Sequence, residues 1–496
     1  MALTLPGAGL CFLAWFCLVP ILYLLRGAGG KRAVLRGALL GWLLGLSFHG
    51  TALYWVYSTC RFAGIGFPAA AAAWLALAAA SGLREALFGA FLAFAGEASP
   101  EWAWPFLAAA SWAGFEFLFE RFTPGLGLIL LEYTQWRRLA WIQAASWAGP
   151  HGLGFVLVYW NAVLAWLIAA WTNGDRPARR HWLGTACACL LAGAWGEYGA
   201  RFISDHQALG GGSRRVAILQ PDVDQYEKWD ASSAARIRAG LENLLAGARA
   251  VHPDLILWPE SSVPDWVEKP GDILRILPGN RPGPGYHLIG ALTRFSGASH
   301  NSAVLVDPKG NIAGRYDKRR PVPFGEFVPL RPVFSKVVGL LDQMGDLDAG
   351  AKDQPPLRTS WGTIGATICF EAMFPELNRA SVSSGTFLLA NLTNDGWYKA
   401  TWGPHQHFHA NVFRAVENRL YVLRAANTGI SGVIDPLGRV VARSFLGERV
   451  LLGAAVPEKD PFPGRSFYAR HGDWFGWTSL CVLAFILLAA VVRKPG

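Results

Sequence analysis

The sequence predicts a polytopic α-helical membrane bundle of about seven spans, joined to an α/β domain held outside the cytoplasm. Three observations carry this. Of the 496 residues, 52% are hydrophobic and 16% charged, against roughly 25% charged in an average soluble protein. The acids are unevenly placed, with only eight of the 35 Asp and Glu residues before position 201. Beyond that position, long apolar segments give way to short apolar runs separated by turn residues.

Crossing a bilayer takes roughly 20 mostly apolar residues. Segments near 5–25, 34–56, 67–95, 103–120, 150–171, 181–200 and 475–492 qualify, although Arg84 and Glu85 fall inside the third. The apolar stretch 123–147 is broken by Pro124, Gly125, Arg137 and Arg138, and reads as a loop or interfacial segment packed on the bundle. Basic residues mark cytoplasmic ends. Arg26, Lys31, Arg32 and Arg36 follow the first span, Arg176, Arg179 and Arg180 precede the sixth, and Arg493 and Lys494 follow the last. Seven spans put all three clusters in the cytoplasm, with the N-terminus and 201–472 outside. The first segment lacks the basic start and small-residue cleavage site of a signal peptide, so it reads as a retained span. The expected organisation is a bundle over 1–200, an α/β domain over 201–472 and a final helix over 473–496. The net charge of +10 lies beside apolar segments or among acids. Membrane lipids are therefore the expected partner, and nucleic acid is not.

Within 201–472, short apolar runs at 216–220, 255–258, 287–291, 302–306, 363–369 and 387–392 predict strands. Helical spacing over 234–250 and 409–423 predicts helices between them. Asp307-Pro-Lys-Gly310 and Asp435-Pro-Leu-Gly438 predict turns that each join two strands. The stretches 210–213 and 278–284 read as flexible joints. Alternation of this kind predicts sheets covered by helices.

Three segments carry chemistry. Leu257-Trp-Pro-Glu-Ser261 ends a strand on a glutamate behind a rigid proline, which puts the Glu260 carboxylate at the mouth of a sheet as a general base. Gly314-Arg-Tyr-Asp-Lys318 leads into a loop stiffened by prolines, where the Lys318 ammonium can face a developing oxyanion. Thr363-Ile-Gly-Ala-Thr-Ile-Cys-Phe-Glu371 delivers Cys369 at the end of a buried strand, at a turn whose backbone amides favour a thiolate. A lone buried cysteine is more often structural. Cys369 is however the only one of seven cysteines between 201 and 472, so no disulfide framework forms there, and no CxxC pair offers a zinc site. His405-Gln-His-Phe-His409 has no further ligand at the usual spacing and reads as a polar helix start, so no metal is expected.

Taken together the three segments resemble the nitrilase superfamily, whose αββα sandwich carries a Glu–Lys–Cys triad in that chain order. A nitrilase-like domain between membrane spans is similar, within it, to the apolipoprotein N-acyltransferases. Supporting matches are Gln220-Pro221, Lys228-Trp229, Asn301-Ser302, Pro323-Phe-Gly-Glu-Phe-Val-Pro329, Asn394-Asp-Gly-Trp397, and the stretch from Arg414 to Gly429. The family usually has eight spans and a cytoplasmic N-terminus, where seven are counted here. Its loop after the lysine commonly reads His-Leu-Val-Pro against Arg320-Pro-Val-Pro323 here, and a tyrosine often stands where this chain has Phe370.

The resemblance implies a ping-pong acyl transfer without cofactor. Cys369, served by Glu260 and Lys318, takes an acyl chain from a phospholipid, commonly phosphatidylethanolamine. It then passes the chain to the α-amine of a diacylglyceryl-cysteine on an apolipoprotein. Glu326 and Glu371 match second glutamates of the family, expected to hold Lys318 and shape the thiol's surroundings. Phe370 and Asn301 support the site, and Trp229 and Trp397 line the lipid pocket. A monomer in the bacterial inner membrane, its catalytic domain facing the periplasm, is expected. A thioester must be kept from water, and the apolar stretches 334–341 and 397–402 are candidate roofs. A membrane-anchored amidase would use the same triad with water as acceptor, but needs no seven-span bundle. Charge within the spans is scarce, which argues against a transport path.

Overall fold

The structure is a computed structural model. It describes all residues except 7–8, 28–31, 124, 127–128, 175–176, 210–212, 226, 263–264, 278–282, 296, 328–345, 383–384 and 493–496. The stretch 334–341 and parts of the two expected joints therefore lie outside the described residues. The chain forms two compact units. One comprises Met1–Gln207, Thr401–His409 and Ser466–Gly496, the other Ala208–Ala400 and Ala410–Arg465.

The first unit is helical. Among the described residues three helices are long and apolar enough to cross a membrane: Ala33–Ala52, Phe67–Gly96 and Ala145–Thr172. Helices Trp104–Phe122, Arg179–Asp205 and Trp474–Val492 stand where the sequence places further spans. The expected first span is not one helix. It consists of single turns at Ala2–Thr4 and Cys11–Trp15 followed by helix Val19–Arg26. Backbone groups released by that break need partners in an apolar bundle, and Asn161 supplies them. Its Oδ1 accepts from the Leu18 amide (2.9 Å) and its Nδ2 donates to the Ala14 carbonyl (3.0 Å). The stretch 123–147 is no span but short turns, Leu131–Gln135 and Leu139–Ile142, with Leu131 in the bundle core.

Two helices meet backbone to backbone. A Cβ on Gly41 would lie 1.9 Å from the Glu85 carbonyl oxygen, and one on Gly89 would lie 2.1 Å from that of Gly37. Small residues spaced by four let membrane helices approach this closely. The two charges inside the third apolar segment are paired: Arg84 Nη2 lies 2.6 Å from Glu85 Oε1 and both side chains are buried.

The second unit holds two sheets. The first runs through β1 (Arg214–Gln220), β2 (Leu255–Leu257), β3 (Trp266–Val267), β4 (Tyr286–Phe295), β5 (Ala298–Val306) and β6 (Ile312–Asp317). The second runs through β7 (Leu357–Thr359), β8 (Gly362–Ile368), β9 (Thr386–Thr393), β10 (Tyr421–Ala426), β11 (Gly432–Ile434) and β12 (Val440–Arg443). The chain then returns to the first sheet as β13 (Val450–Val456), beside β1. Spatial orders are β13-β1-β2-β4-β5-β6, with β3 on β4, and β12-β11-β10-β9-β8-β7. Both sheets have parallel centres, β1-β2-β4 and β8-β9-β10, flanked by antiparallel hairpins. The two predicted turns are present and join β5 to β6 and β11 to β12: the Gly310 amide donates to Asp307 O and the Gly438 amide to Asp435 O, each at 2.9 Å.

Helix Ala234–Ala250 covers the first sheet, burying Ile237, Leu241 and Leu245 against Ala217, Leu219, Ile256 and Ile289. One predicted helix needs correction. The helix runs Gly403–Asn418, so the histidines do open it, but 421–423 belong to strand β10. All of β10 is buried, and a strand covered on both faces reads as one continuous apolar run, which spacing alone does not separate from a helix.

Candidate active site

The site gathers at the carboxyl ends of the parallel strands, where α/β sheets bind their ligands. Glu260 stands three residues past β2. Trp258 is anchored there by its indole N–H, which donates to His287 Nδ1 (3.1 Å). Strand β4 passes so near that a Cβ on Gly290 would fall 2.3 Å from the Pro259 carbonyl oxygen. Only glycine fits, and its bare backbone carbonyl accepts from the Ser262 amide at 2.9 Å.

Glu260 is buried and fully bonded. Its Oε1 accepts from Lys318 Nζ (3.1 Å) and Asn301 Nδ2 (2.7 Å), and its Oε2 from the Asn394 amide (2.8 Å). Lys318, just past β6, is 1% exposed. It also contacts both oxygens of Glu326, at 2.9 and 2.8 Å. Asn301 on β5 spans the two carboxylates, donating to Glu326 Oε1 as well (2.7 Å), while its carbonyl accepts from the Lys318 amide (2.8 Å). Burial alone would depress the Lys318 ammonium, but Glu260, then Glu326, then Cys369 carry it well above its ordinary value.

Cys369 opens the tight turn Cys369–Met373 directly after β8. Its φ is 53°, a left-handed conformation that costs a non-glycine residue about 1–3 kcal/mol and persists only where the surroundings impose it. The surroundings are visible. Asn391 Nδ2 on β9 donates to the Cys369 carbonyl (3.2 Å), and Glu371 Oε2 accepts from the Ile368 amide (2.8 Å). Burial first, and the Glu260 carboxylate second, push the thiol above its ordinary value, opposed by the Lys318 ammonium. Burial and Glu260 thus favour the thiol over the thiolate, while the two carboxylates favour the ammonium of Lys318.

Glu371 is completely buried and ties two segments together. Its Oε1 accepts from the Arg319 and Arg320 amides (2.7 and 3.1 Å), and its Oε2 also accepts from the Tyr316 hydroxyl (2.9 Å). One carboxylate therefore fixes the cysteine turn to the lysine loop. Phe370 sits between them, with the Lys318 ammonium 5.8 Å from its ring centre and Phe374 edge-on. Trp397 lies on the turn Asp395–Tyr398 that follows β9, three residues from the amide that binds Glu260. Trp229 ends the turn Glu227–Trp229. Trp402 packs with Phe48, Ala52 and Leu53 of the first unit.

The structure therefore brings Glu260, Lys318, Cys369, Glu326, Glu371, Phe370 and Asn301 into one connected network. Two matches cover most of the chain. Residues 215–459 match the carbon-nitrogen hydrolase family, and residues 1–163 match the apolipoprotein N-acyltransferase N-terminal domain. The chain is 33% identical to an apolipoprotein N-acyltransferase of Geobacter metallireducens, with 100% of this chain and 94% of that protein covered. The chain belongs to the apolipoprotein N-acyltransferase family. An apolipoprotein N-acyltransferase of Methylococcus capsulatus is 31% identical over 88% of this chain and 84% of its own length. Among solved structures, Saccharomyces cerevisiae Nit3 of the nitrilase superfamily is 19% identical, covers 53% of this chain and 96% of its own, and has a TM-score of 0.39.

In this family member, residues that sequence reasoning did not assign to the site also contact the network. Lys228 is buried and its Nζ donates to the main-chain oxygen of Glu260 (3.1 Å). Arg424 on β10 is fully buried and ion-paired with Asp395, and its Nη1 donates to Asn391 Oδ1. It thereby orients the amide that holds the Cys369 carbonyl. The available signal was polar type inside an apolar run, as in Leu389-Ala-Asn391 and Leu423-Arg424. A charge retained in a fully buried strand must have a partner.

Proposed function

We propose that Cys369 is the nucleophile, Glu260 the general base and Lys318 the oxyanion cation of an acyl transfer from phospholipid to apolipoprotein. The observation that carries this reading is the shared contact of Lys318 with Glu260 and Glu326 beside a cysteine held left-handed at a strand end. In the first half-reaction the thiol proton passes to Glu260 as sulfur attacks the ester carbonyl. Lys318 and backbone amides at the turn stabilise the oxyanion. The lysophospholipid oxygen leaves with the proton from Glu260, and a thioester remains. In the second half, the α-amine of the diacylglyceryl-cysteine attacks, Glu260 accepts its proton, and the thiolate leaves and is reprotonated. The product is an N-acylated lipoprotein.

The finer reading follows the same lines. The donor is the sn-1 chain of phosphatidylethanolamine, and the enzyme acts as a monomer in the inner membrane. Seven spans place the α/β domain on the periplasmic side, supported by the three basic clusters. Residues 1–200 form the bundle, 201–472 the catalytic domain and 473–496 the last span. Glu326 and Asn301 hold Lys318, Glu371 and Phe370 shape the cysteine turn, and Trp397 lines the lipid pocket; the side chain of Trp229, expected beside it, lies outside what the structure describes.

The test is incubation of the purified full-length protein with acyl-labelled phosphatidylethanolamine. The wild type should carry a label that neutral hydroxylamine releases and that chases onto a diacylated peptide. Cys369→Ala should carry none. Label retained on Cys369→Ala overturns the assignment of the nucleophile, and label released to water in preference to the peptide overturns the acceptor.

A further inference from the structure

The acyl transfer requires no metal, yet the helical unit contains a group of side chains with the chemistry of one. Glu116 comes from helix Trp104–Phe122, Glu132 from the turn Leu131–Gln135, and His151 from helix Ala145–Thr172, just past its kink at Gly149 and Pro150. One ligand atom from each lies within 4.8 Å of the other two. All three are buried, the carboxylates completely. We propose that Glu116, Glu132 and His151 form a binding site for a first-row divalent cation such as Zn2+.

The carboxylates themselves argue for a ligand. Both oxygens of Glu116 and both of Glu132 are buried without a hydrogen-bond partner among the described residues. An ionised carboxylate in that condition is among the costliest groups a folded chain can bury. The neighbouring charges do not balance them. Among the described residues, Glu85, Glu116 and Glu132 lie about one buried guanidinium, Arg84, and Glu120 is a fourth buried carboxylate, with His49 and His151 as the neighbouring imidazoles. Arg84 is committed to Glu85 at 2.6 Å and stands 3.7 Å from Glu116. With all four carboxylates ionised the described groups would carry three surplus negative charges, of which a divalent cation would remove two.

The geometry also fits. His151 Nε2 lies 3.4 Å from Glu120 Oε2, and its Nδ1 faces Glu132 Oε1 at 4.0 Å. A histidine held by a carboxylate through one ring nitrogen and turned to a metal through the other is the usual outer-shell arrangement. Gly154, one helical turn on from His151, leaves the carboxylates room. A Cβ there would fall 2.9 Å from Glu132 Oε2 and 3.1 Å from Glu116 Oε2. One imidazole with two carboxylates favours Zn2+ or its first-row neighbours over Mg2+ and Ca2+, which take oxygen ligands alone. Bound Zn2+ sits about 2.0–2.2 Å from such ligands, so side-chain rotations that draw the three atoms together complete the site. The ion would clip two helices and the intervening turn at the kink.

The test uses full-length protein in detergent, stripped with a chelator, titrated with ZnCl2 and desalted. Elemental analysis should find about one zinc per chain, with a raised unfolding temperature, as expected when binding is linked to folding. Glu132→Gln and His151→Asn should each lose at least about tenfold in affinity. The X-ray absorption spectrum of zinc on the wild type should show nitrogen and oxygen at about 2.0–2.1 Å, an imidazole, and no sulfur. Failure of the wild type to retain zinc overturns the proposal, as does wild-type affinity in folded Glu132→Gln. If neither variant folds, the wild-type spectrum decides, and a shell with sulfur or without imidazole overturns it.

Discussion

Two buried charge clusters in this chain are built on opposite terms. In the catalytic unit every carboxylate oxygen of Glu260, Glu326 and Glu371 accepts at least one hydrogen bond. In the helical unit the oxygens of Glu116 and Glu132 accept none from the described residues. The difference follows from the backbone. The catalytic carboxylates lie at strand ends and loops, where amides are free to donate: Asn394, Val322, Arg319, Arg320 and Ile368 each give one. Inside a helix each amide is already bonded to the preceding turn. A carboxylate between helices is therefore left to side chains or to a bound ligand. A satisfied network is rigid and specifies one geometry, whereas an undersupplied one calls for a further positive charge.

The comparison is broken most severely at Lys318. Lys318→Met removes the cation that bridges Glu260 and Glu326 and leaves two buried carboxylates without it. Stability should fall by about 3–5 kcal/mol, the cost of leaving a buried partner charge uncompensated. On the proposed role of Lys318 as the oxyanion cation, its loss should lower kcat by about 10²–10³-fold or more. Thermal unfolding in detergent and acyl-transfer rates check the two effects. A rate within tenfold of wild type would remove Lys318 from the reaction.

Glu371→Gln tests the backbone side of the contrast. The amide keeps the shape but turns an NH2 towards one set of donors, at Arg319 and Arg320 or at Ile368 and Tyr316. Charge-assisted bonds are lost from the lysine loop or the cysteine turn, at a cost of about 2–3 kcal/mol. Small misplacement of reacting groups can cost about 10²-fold in rate, so kcat should fall by about that factor with KM nearly unchanged. Asn391→Ala should act in the same direction, about tenfold, because it frees the Cys369 carbonyl and removes an acceptor of the buried Arg424. Single-turnover thioester formation is the sensitive readout for both.

How much of this was legible in the sequence depends on how local each feature is. Glu260 and Cys369 follow apolar strands directly, Lys318 precedes a proline-stiffened loop, and the chain order needs no tertiary knowledge. The two hairpin turns were equally local. What was missed is held by distant partners. Lys228 meets Glu260 across 32 residues and Arg424 meets Asn391 across 33. The break within the first apolar segment was not legible, because its uniform composition hides a gap that Asn161 bridges from far along the chain. Glu116, Glu132 and His151 are far apart in apolar stretches of the sequence, and only the packing of the helices gathers them. Their rarity was weighed, but not their convergence.

The smallest effect on rate, and the sharpest on charge, belongs to Lys228. Both buried lysines touch Glu260, but Lys318 meets carboxylates while Lys228 meets a main-chain carbonyl. Burial therefore wins at Lys228, lowering it to about 8 against the partial opposition of Glu260. Between about pH 8 and the ordinary lysine value near 10.5, the unfolded chain holds a proton that the folded chain has released, so stability from this group rises with pH. Below pH 8 the penalty is complete, about 3 kcal/mol by linkage. Lys318 has the opposite sign, contributing fully below its ordinary value and losing that contribution as pH rises beyond it. Lys228→Met removes the penalty and forfeits one hydrogen bond worth about 1 kcal/mol. The variant should thus be more stable than wild type at pH 7, with the advantage shrinking and then reversing as pH passes 10, while acyl transfer falls only about threefold. Paired unfolding curves at pH 7 and pH 10 measure the difference directly. A variant destabilised equally at both would show that Lys228 keeps its ordinary lysine value in the folded protein and that its burial carries no charge penalty.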